Sequence, residues 1–232
     1  MTRYKPVHPR HTWEIVKEDI EGFERDMKQI CDIAIKKGAS LAKLIEASKI
    51  AVDERVTLKC TIPPCEMYGQ CHMCPPFSPI AEETRKIVSK YERALLLEVT
   101  TTLPKEYWDH IQREGVPLWK WCLEPKTVEW EHKIQYPLWL KLHDIVMEAE
   151  RQAHNRGYFF ATGYVASTCY LCWDPANPYG CDTKSPCKHP YAARPSVEAS
   201  GIDIYTTYRN IGLELKMASP EKLTWSGLVL IV

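Results

Sequence analysis

Eight of the ten cysteines fall into two compact groups, and this constrains the chain more than any other feature of its 232 residues. The first group runs Cys60-Thr-Ile-Pro-Pro-Cys65-Glu-Met-Tyr-Gly-Gln-Cys71-His-Met-Cys74-Pro75-Pro76, with gaps of four, five and two residues. The second holds Cys169, Cys172, Cys181 and Cys187, with gaps of two, eight and five. Each contains one Cys-x-x-Cys, a spacing that lets two thiolates chelate one metal centre. The Pro and Gly residues between the cysteines supply tight turns that wrap the remaining ligands around it. Four thiolates make one tetrahedral set, so Cys60, Cys65, Cys71 and Cys74 are expected to form one ligand set and Cys169, Cys172, Cys181 and Cys187 another.

Zinc and iron-sulfur clusters both accept four thiolates. Structural zinc usually shows two separated Cys-x-x-Cys pairs, whereas each group here has one pair and irregularly spaced single cysteines, which favours 4Fe-4S clusters, one or two, with zinc as the alternative. Cys74 is followed by Pro75, the junction that also closes the bacterial ferredoxin run. His72 and His189 are alternative ligands or hydrogen-bond donors to a sulfur. A thioredoxin-type motif comes singly and leaves the other cysteines unexplained. Cys31, on an apolar stripe, reads as a buried core thiol, and Cys122 as a structural one.

Composition narrows the function class. Lys and Arg number 30 against 30 Asp and Glu, so the clustered positive excess of a nucleic-acid surface is missing. The longest apolar stretches fall far short of a membrane span, and no glycine pattern of a phosphate-binding loop is present. The opening Met1-Thr-Arg-Tyr-Lys-Pro-Val-His never becomes an apolar signal segment, so a cytoplasmic location is expected. In that reducing compartment clustered cysteines bind metal or do redox chemistry rather than form a disulfide framework.

Hydrophobic periodicity predicts a single α/β or α+β domain over 1–232, a small central sheet flanked by helices with two cysteine-rich metal-binding loops. Its N-terminal segment, 12–50, is read as helical: one helix over 14–37 carries Ile20, Phe23, Met27, Ile30 and Ala34, and a second, capped by Ser40, carries Leu41, Leu44 and Ile45. A further helix is expected to start at Ser78-Pro79, and another to carry Leu138, Leu142, Ile145, Ala149 and Ala153 and stop at Gly157. Ala94 to Thr101, Tyr158 to Ala166 and Thr224 to Val232 read as strands. The stretch 102–137, with Trp108, Trp119, Trp121 and Trp130, has no clean period and reads as an aromatic-rich insertion packed on the core, or a lid or partner surface.

Lys59-Cys60, Pro64-Cys65, Tyr68-Gly69 and Cys74-Pro75-Pro76, with Ala193-Arg194-Pro195-Ser196-Val197-Glu198-Ala199 and Gly201-Ile202-Asp203, resemble the uncharacterised predicted metal-binding protein family of archaea and anaerobic bacteria. The resemblance runs from about Gly38 to the terminal Gly227-Leu-Val-Leu-Ile. It implies cysteine-bound metal, iron-sulfur in kind. In the family pattern the first motif needs Cys60, Cys65 and Cys74, while Cys71 is an addition here. Arg194 and Glu198 are expected to pair with each other or to reach a cluster or substrate. Electron transfer to a redox partner protein is the expected function. The alternatives are a cluster-dependent enzyme acting on a small molecule and a structural zinc module that binds another protein.

Overall fold

The computed structural model describes residues 8–112, 124–174, 180–219 and 222–232. In chain order its elements are α1 (Trp13–Lys17), α2 (Ile20–Lys36), β1 (Leu41–Glu46), β2 (Ala51–Val52), α3 (Glu54–Thr61), α4 (Ala81–Val88) and β3 (Arg93–Thr101). There follow α5 (Lys105–Ile111), α6 (Pro125–Trp130), α7 (Tyr136–His154), β4 (Thr162–Tyr164), β5 (Ile202–Asp203), α8 (Ile204–Asn210), β6 (Ala218–Ser219) and β7 (Lys222–Leu230). The main sheet has the order β1-β3-β7-β4, with β6 forming a hairpin with β7, while β2 pairs with β5 separately. Every one of these pairings is antiparallel, so the class is α+β.

Strands β3 and β7 are buried on both faces, and their alternating side chains divide between two cores. Leu95, Leu97, Val99 and Val229 pack with Phe23, Met27 and Ile30 of α2 and Leu142, Ile145 and Val146 of α7. Ala94, Leu96, Leu228 and Leu230 pack on the opposite side with Val197, Ile202, Ile204 and Tyr208. The second core places the Arg-Pro-Ser-x-Glu-Ala string against the sheet, and that string shapes the cysteine site.

Helix α2 follows the apolar period, with Phe23, Met27, Ile30 and Ala34 all buried. The helix expected over 14–37 is divided, because Asp19 leaves helical geometry and accepts the Gly22 N–H at 3.0 Å as an N-cap. Cys31 is half-buried rather than fully enclosed, and burial still lifts its thiol to about 11. The second expected helix, through Leu41, Leu44 and Ile45, is instead β1, in register with β3 from Leu41↔Glu98 to Glu46↔Arg93. The Ser40 hydroxyl, expected as its cap, donates to the Glu98 carboxylate at 2.9 Å across the two strands.

Helix α4 begins at Ala81, later than Ser78-Pro79 suggested. The buried Ser78 hydroxyl donates to the Ala199 carbonyl at 3.1 Å, and the Ile80 N–H donates to the Glu83 carboxylate at 3.1 Å. Of the strand expected over Tyr158 to Ala166 only Thr162–Tyr164 pairs with β7. Gly157, at φ 92°, follows α7 as expected. Within 102–137, Trp130 is buried against Tyr107 with ring centroids 4.8 Å apart, and Trp108 packs partly on the same core. Trp119, Trp121 and Cys122 lie outside the described residues. Among the described residues no helix is long and apolar enough to cross a membrane.

Candidate metal centre

The first cysteine loop connects α3 to α4. Asp53 caps α3 by accepting the Arg55 N–H at 2.8 Å, which sets Cys60 on the last turn of that helix. The Cys65 N–H returns to the Cys60 carbonyl at 3.1 Å, and the Cys74 N–H closes on the Cys71 carbonyl at 3.0 Å, so each pair is held on a tight turn. Gly69 adopts φ 70°, a left-handed geometry that favours glycine, and its N–H reaches the Pro75 carbonyl at 2.9 Å. Cys71 and Cys74 are buried, whereas Cys60 and Cys65 are half-buried.

The second loop leaves β4 through Ser167, which stands at φ 66° although it is not glycine. Such a conformation costs on the order of 1 kcal/mol and persists where the surroundings fix it. Here the Ser167 N–H donates to Glu198 Oε2 at 3.1 Å, and its hydroxyl lies 3.1 Å from the Tyr170 hydroxyl. The next residue, buried Thr168, sets its hydroxyl 3.0 Å from Cys74 Sγ. Tyr170 then stacks on Trp139 of α7 at 4.6 Å with the rings nearly parallel, and Trp173 lies 4.0 Å from Tyr136, which anchors the Cys169-x-x-Cys172 turn to the helix.

The two loops are tied directly to one another. His72 Nε2 lies 3.2 Å from the Asp182 carbonyl and 2.9 Å from the Ser185 carbonyl; both are acceptors, so this nitrogen carries the proton and donates. The Thr183 hydroxyl donates to the Gly69 carbonyl at 3.1 Å. His72 is thus a strut between the loops, while His189 contributes its backbone N–H, 3.4 Å from Cys187 Sγ.

These ties bring thiols of both groups together. A hydrogen bond from Cys74, with further donation from the Met73 N–H, Thr168 and the Cys169 N–H, lowers the Cys71 thiol against the opposing effect of its burial. Cys74 is raised as the proton-bearing partner of that bond and by its burial. Cys181 is raised by burial and also bonds to Cys71, more than a hundred residues away in sequence. Cys169 is pushed up to about 12 by burial, and it feels Cys71, Cys172 and Cys187. Cys60 is raised by burial, by Cys65 beside it and by Glu198.

All nine described cysteines are free thiols. Among the described residues no three His, Cys, Asp or Glu side chains already stand in a ligand arrangement for one ion. The chemistry of the donor set nevertheless fits a thiolate-bound metal: soft sulfur donors, with backbone N–H groups aimed at Cys71 and Cys187 as cluster sulfurs accept them.

The Arg194 to Gly201 string holds this region to the sheet. Val165 N–H donates to the Pro195 carbonyl and Val197 N–H to the Val165 carbonyl, at 2.9 and 2.8 Å. Arg194 does not pair with Glu198, contrary to expectation. Its guanidinium forks onto Glu150 of α7, Nε at 2.8 Å and Nη2 in close contact, with both side chains largely buried. Glu150 Oε2 also accepts the Gly163 N–H at 2.7 Å. Glu198 is half-buried, and burial pushes its carboxyl upward. Gly201, at φ 75°, is packed so closely on α4 that an added Cβ would fall 2.6 Å from Ala81 Cβ. Glu150, Ser167 and Thr168 escaped the sequence reading, since nothing but adjacency to Cys169 marks the last two.

A groove of about 590 Å³ opens beside Cys60, lined by Lys59, Glu198, Ile202, Ile204, Tyr205 and Met217 among others. A family model described as "Predicted metal-binding protein (DUF2284)" matches residues 43–231. Neither a curated protein nor a solved structure matches the chain.

Proposed function

The chain belongs to the predicted metal-binding protein family, and from that membership we propose that Cys60, Cys65, Cys71, Cys74, Cys169, Cys172, Cys181 and Cys187 hold one or two 4Fe-4S clusters that serve electron transfer with a redox partner protein. The observation that carries this reading is the meeting of Cys71 with Cys74, Cys169 and Cys181, free thiols drawn from two remote loops. Thiols gathered in this way without disulfides are the donors a metal centre requires.

An iron-sulfur centre supplies a one-electron carrier when bound. The chain's own part is to fix the thiolates and set their surroundings. Burial of Cys71 and Cys74 excludes water, the Met73 and His189 N–H groups donate to sulfur, and the Trp139-Tyr170 stack holds the second loop rigidly on α7. Irregular spacing within each group favours a cubane over structural zinc.

Reversible reduction tests the electron-transfer part of the reading. Protein purified without oxygen is expected to bleach on adding dithionite and to regain its colour on reoxidation, with one unpaired spin per reduced cluster. Coloured protein that cannot be reduced reversibly would favour a catalytic cluster over a carrier, and colourless zinc protein would favour the structural module. Cys74→Ser is expected to lose about four irons per chain, one cluster's content.

A further inference from the structure

Two opposite charges in the groove beside Cys60 lack a counter-charge. The groove is walled by α3 on one side and by β5 and the start of α8 on the other, and three of its charged side chains are already committed. Arg55 forks onto both carboxylate oxygens of Asp53, and Asp203 accepts the Thr206 N–H at 2.9 Å and the Thr206 hydroxyl at 2.6 Å. Lys59 and Glu198 are left. Among the described residues neither forms an ion pair, with the other or with any third group, and Arg194, four residues before Glu198, is held by Glu150. The groove therefore has a free positive group and a free negative group, held apart.

Lys59 is exposed, whereas Glu198 is half-buried and supported among the described residues by neutral donors, the Ser167 N–H at 3.1 Å and the Ser196 hydroxyl. A carboxylate drawn partly out of water is stabilised by a cation that reaches it. The rest of the wall is apolar: Val56, the buried Ile202 and Ile204, and Met217, with the Tyr205 ring 45% exposed beside them. At about 590 Å³ the groove has the size of sites that take small organic molecules, and an apolar wall with a few placed charges is the composition of such sites.

We propose that this groove binds an α-amino acid with a bulky apolar side chain, its ammonium group on Glu198, its carboxylate on Lys59 and its side chain against Ile202, Ile204 and Met217. Charge decides the class of ligand. A simple anion meets Lys59 but leaves Glu198 unpaired and repelling it, and a simple amine meets Glu198 but is repelled by Lys59; a zwitterion satisfies both ends with charge-assisted hydrogen bonds. The side chain follows from the wall, since Met217 and Tyr205 give an aromatic ring sulfur and ring contacts. The site goes beyond electron carriage: it seats a small molecule next to Cys60 and calls on no metal coordination by Glu198.

The test is calorimetric titration of the full-length protein, purified without oxygen, with L-phenylalanine, with 3-phenylpropionate, which lacks the ammonium group, and with 2-phenylethylamine, which lacks the carboxylate. Wild type is expected to bind L-phenylalanine saturably and each single-charge analogue at least about tenfold more weakly, some 1.4 kcal/mol. Lys59→Gln and Glu198→Gln should each weaken L-phenylalanine at least about tenfold. Lys59→Gln should not weaken 2-phenylethylamine, and Glu198→Gln should not weaken 3-phenylpropionate, because each variant removes the charge that the analogue does not use. No saturable heat from wild type with L-phenylalanine up to about 10 mM overturns the proposal. So does equal affinity for the three compounds, or L-phenylalanine binding that neither substitution changes. Should Glu198→Gln fail to fold, the three compounds on wild type and on Lys59→Gln still decide. Iron content is measured on the same samples: binding by protein without iron upholds the groove and counts against the cluster alone.

Discussion

Replacing Gly201 by alanine isolates the contact that ties the Glu198 string to the helices framing the first cysteine loop. Gly201 stands at φ 75°, its N–H bonds the Glu198 carbonyl, and its carbonyl accepts the Asp53 N–H at 2.8 Å. A Cβ there would sit 2.6 Å from Ala81 Cβ, 3.1 Å from Ala81 Cα and 3.4 Å from the Asp53 carbonyl oxygen. Two costs therefore add. The left-handed backbone costs about 1–2 kcal/mol for an L-residue, partly offset by about 0.4–1 kcal/mol from a less flexible unfolded chain. The overlap forces α4 and the string apart for about 1–3 kcal/mol more. Gly212 supplies the control, since it has φ 74° with nothing within 4 Å of its Cβ position. Gly212→Ala should lower stability by about 0.5–1 kcal/mol and Gly201→Ala by about 2–4 kcal/mol, or about 2–4 °C in Tm per kcal/mol for a chain of this size. Urea denaturation of both variants, followed by tryptophan fluorescence, measures the difference. Equal losses in the two would refute the close approach of Gly201 to α4.

Arg194→Met should cost about 3–5 kcal/mol in urea unfolding, because it strands the nearly inaccessible Glu150 carboxylate, and adding Glu150→Gln should recover part of that loss; a neutral Arg194→Met would contradict the buried pair. His143, buried with Nε2 donating to the Ala192 carbonyl at 2.8 Å, has its pKa lowered by that burial. The unfolded chain therefore binds the proton first, so stability falls as pH drops below about 6.5 and levels off below the folded pKa; denaturation midpoints at several pH values should show a shallower acid slope in His143→Gln than in wild type. Cys31→Ser should leave iron and zinc content unchanged and cost about 1 kcal/mol of packing, since the thiol packs on the helical core rather than the cysteine loops; any loss of metal would place Cys31 in the centre.

Much of the frame was legible because local pattern and tertiary need agree there. The strands Arg93–Thr101 and Lys222–Leu230 are apolar runs buried on both faces, and Tyr136–His154 keeps its helical stripe. Leu41 to Glu46 misled because apolar residues at 41, 44 and 45 fit a helical spacing, yet pairing with β3 decided the outcome. Ser78-Pro79 reads as a helix start, but the Ser78 hydroxyl is committed to the Ala199 carbonyl. The cysteine groups announced thiol chemistry, whereas their interleaving did not show. It depends on His72 and Thr183 reaching backbone carbonyls of the opposite loop, partners that carry no side-chain signature. Arg194 found Glu150 rather than Glu198, a choice made by the packing of α7 on β4, where Gly163 lets Val146 approach.

Iron, zinc and acid-labile sulfide content, with the visible spectrum, of protein purified without oxygen tests the thiolate-bound cluster most directly. Iron and sulfide in equal amounts, about four or about eight of each per chain, with a broad band near about 400 nm, is the expected result. One or two zinc ions without sulfide, in a colourless solution, would contradict it.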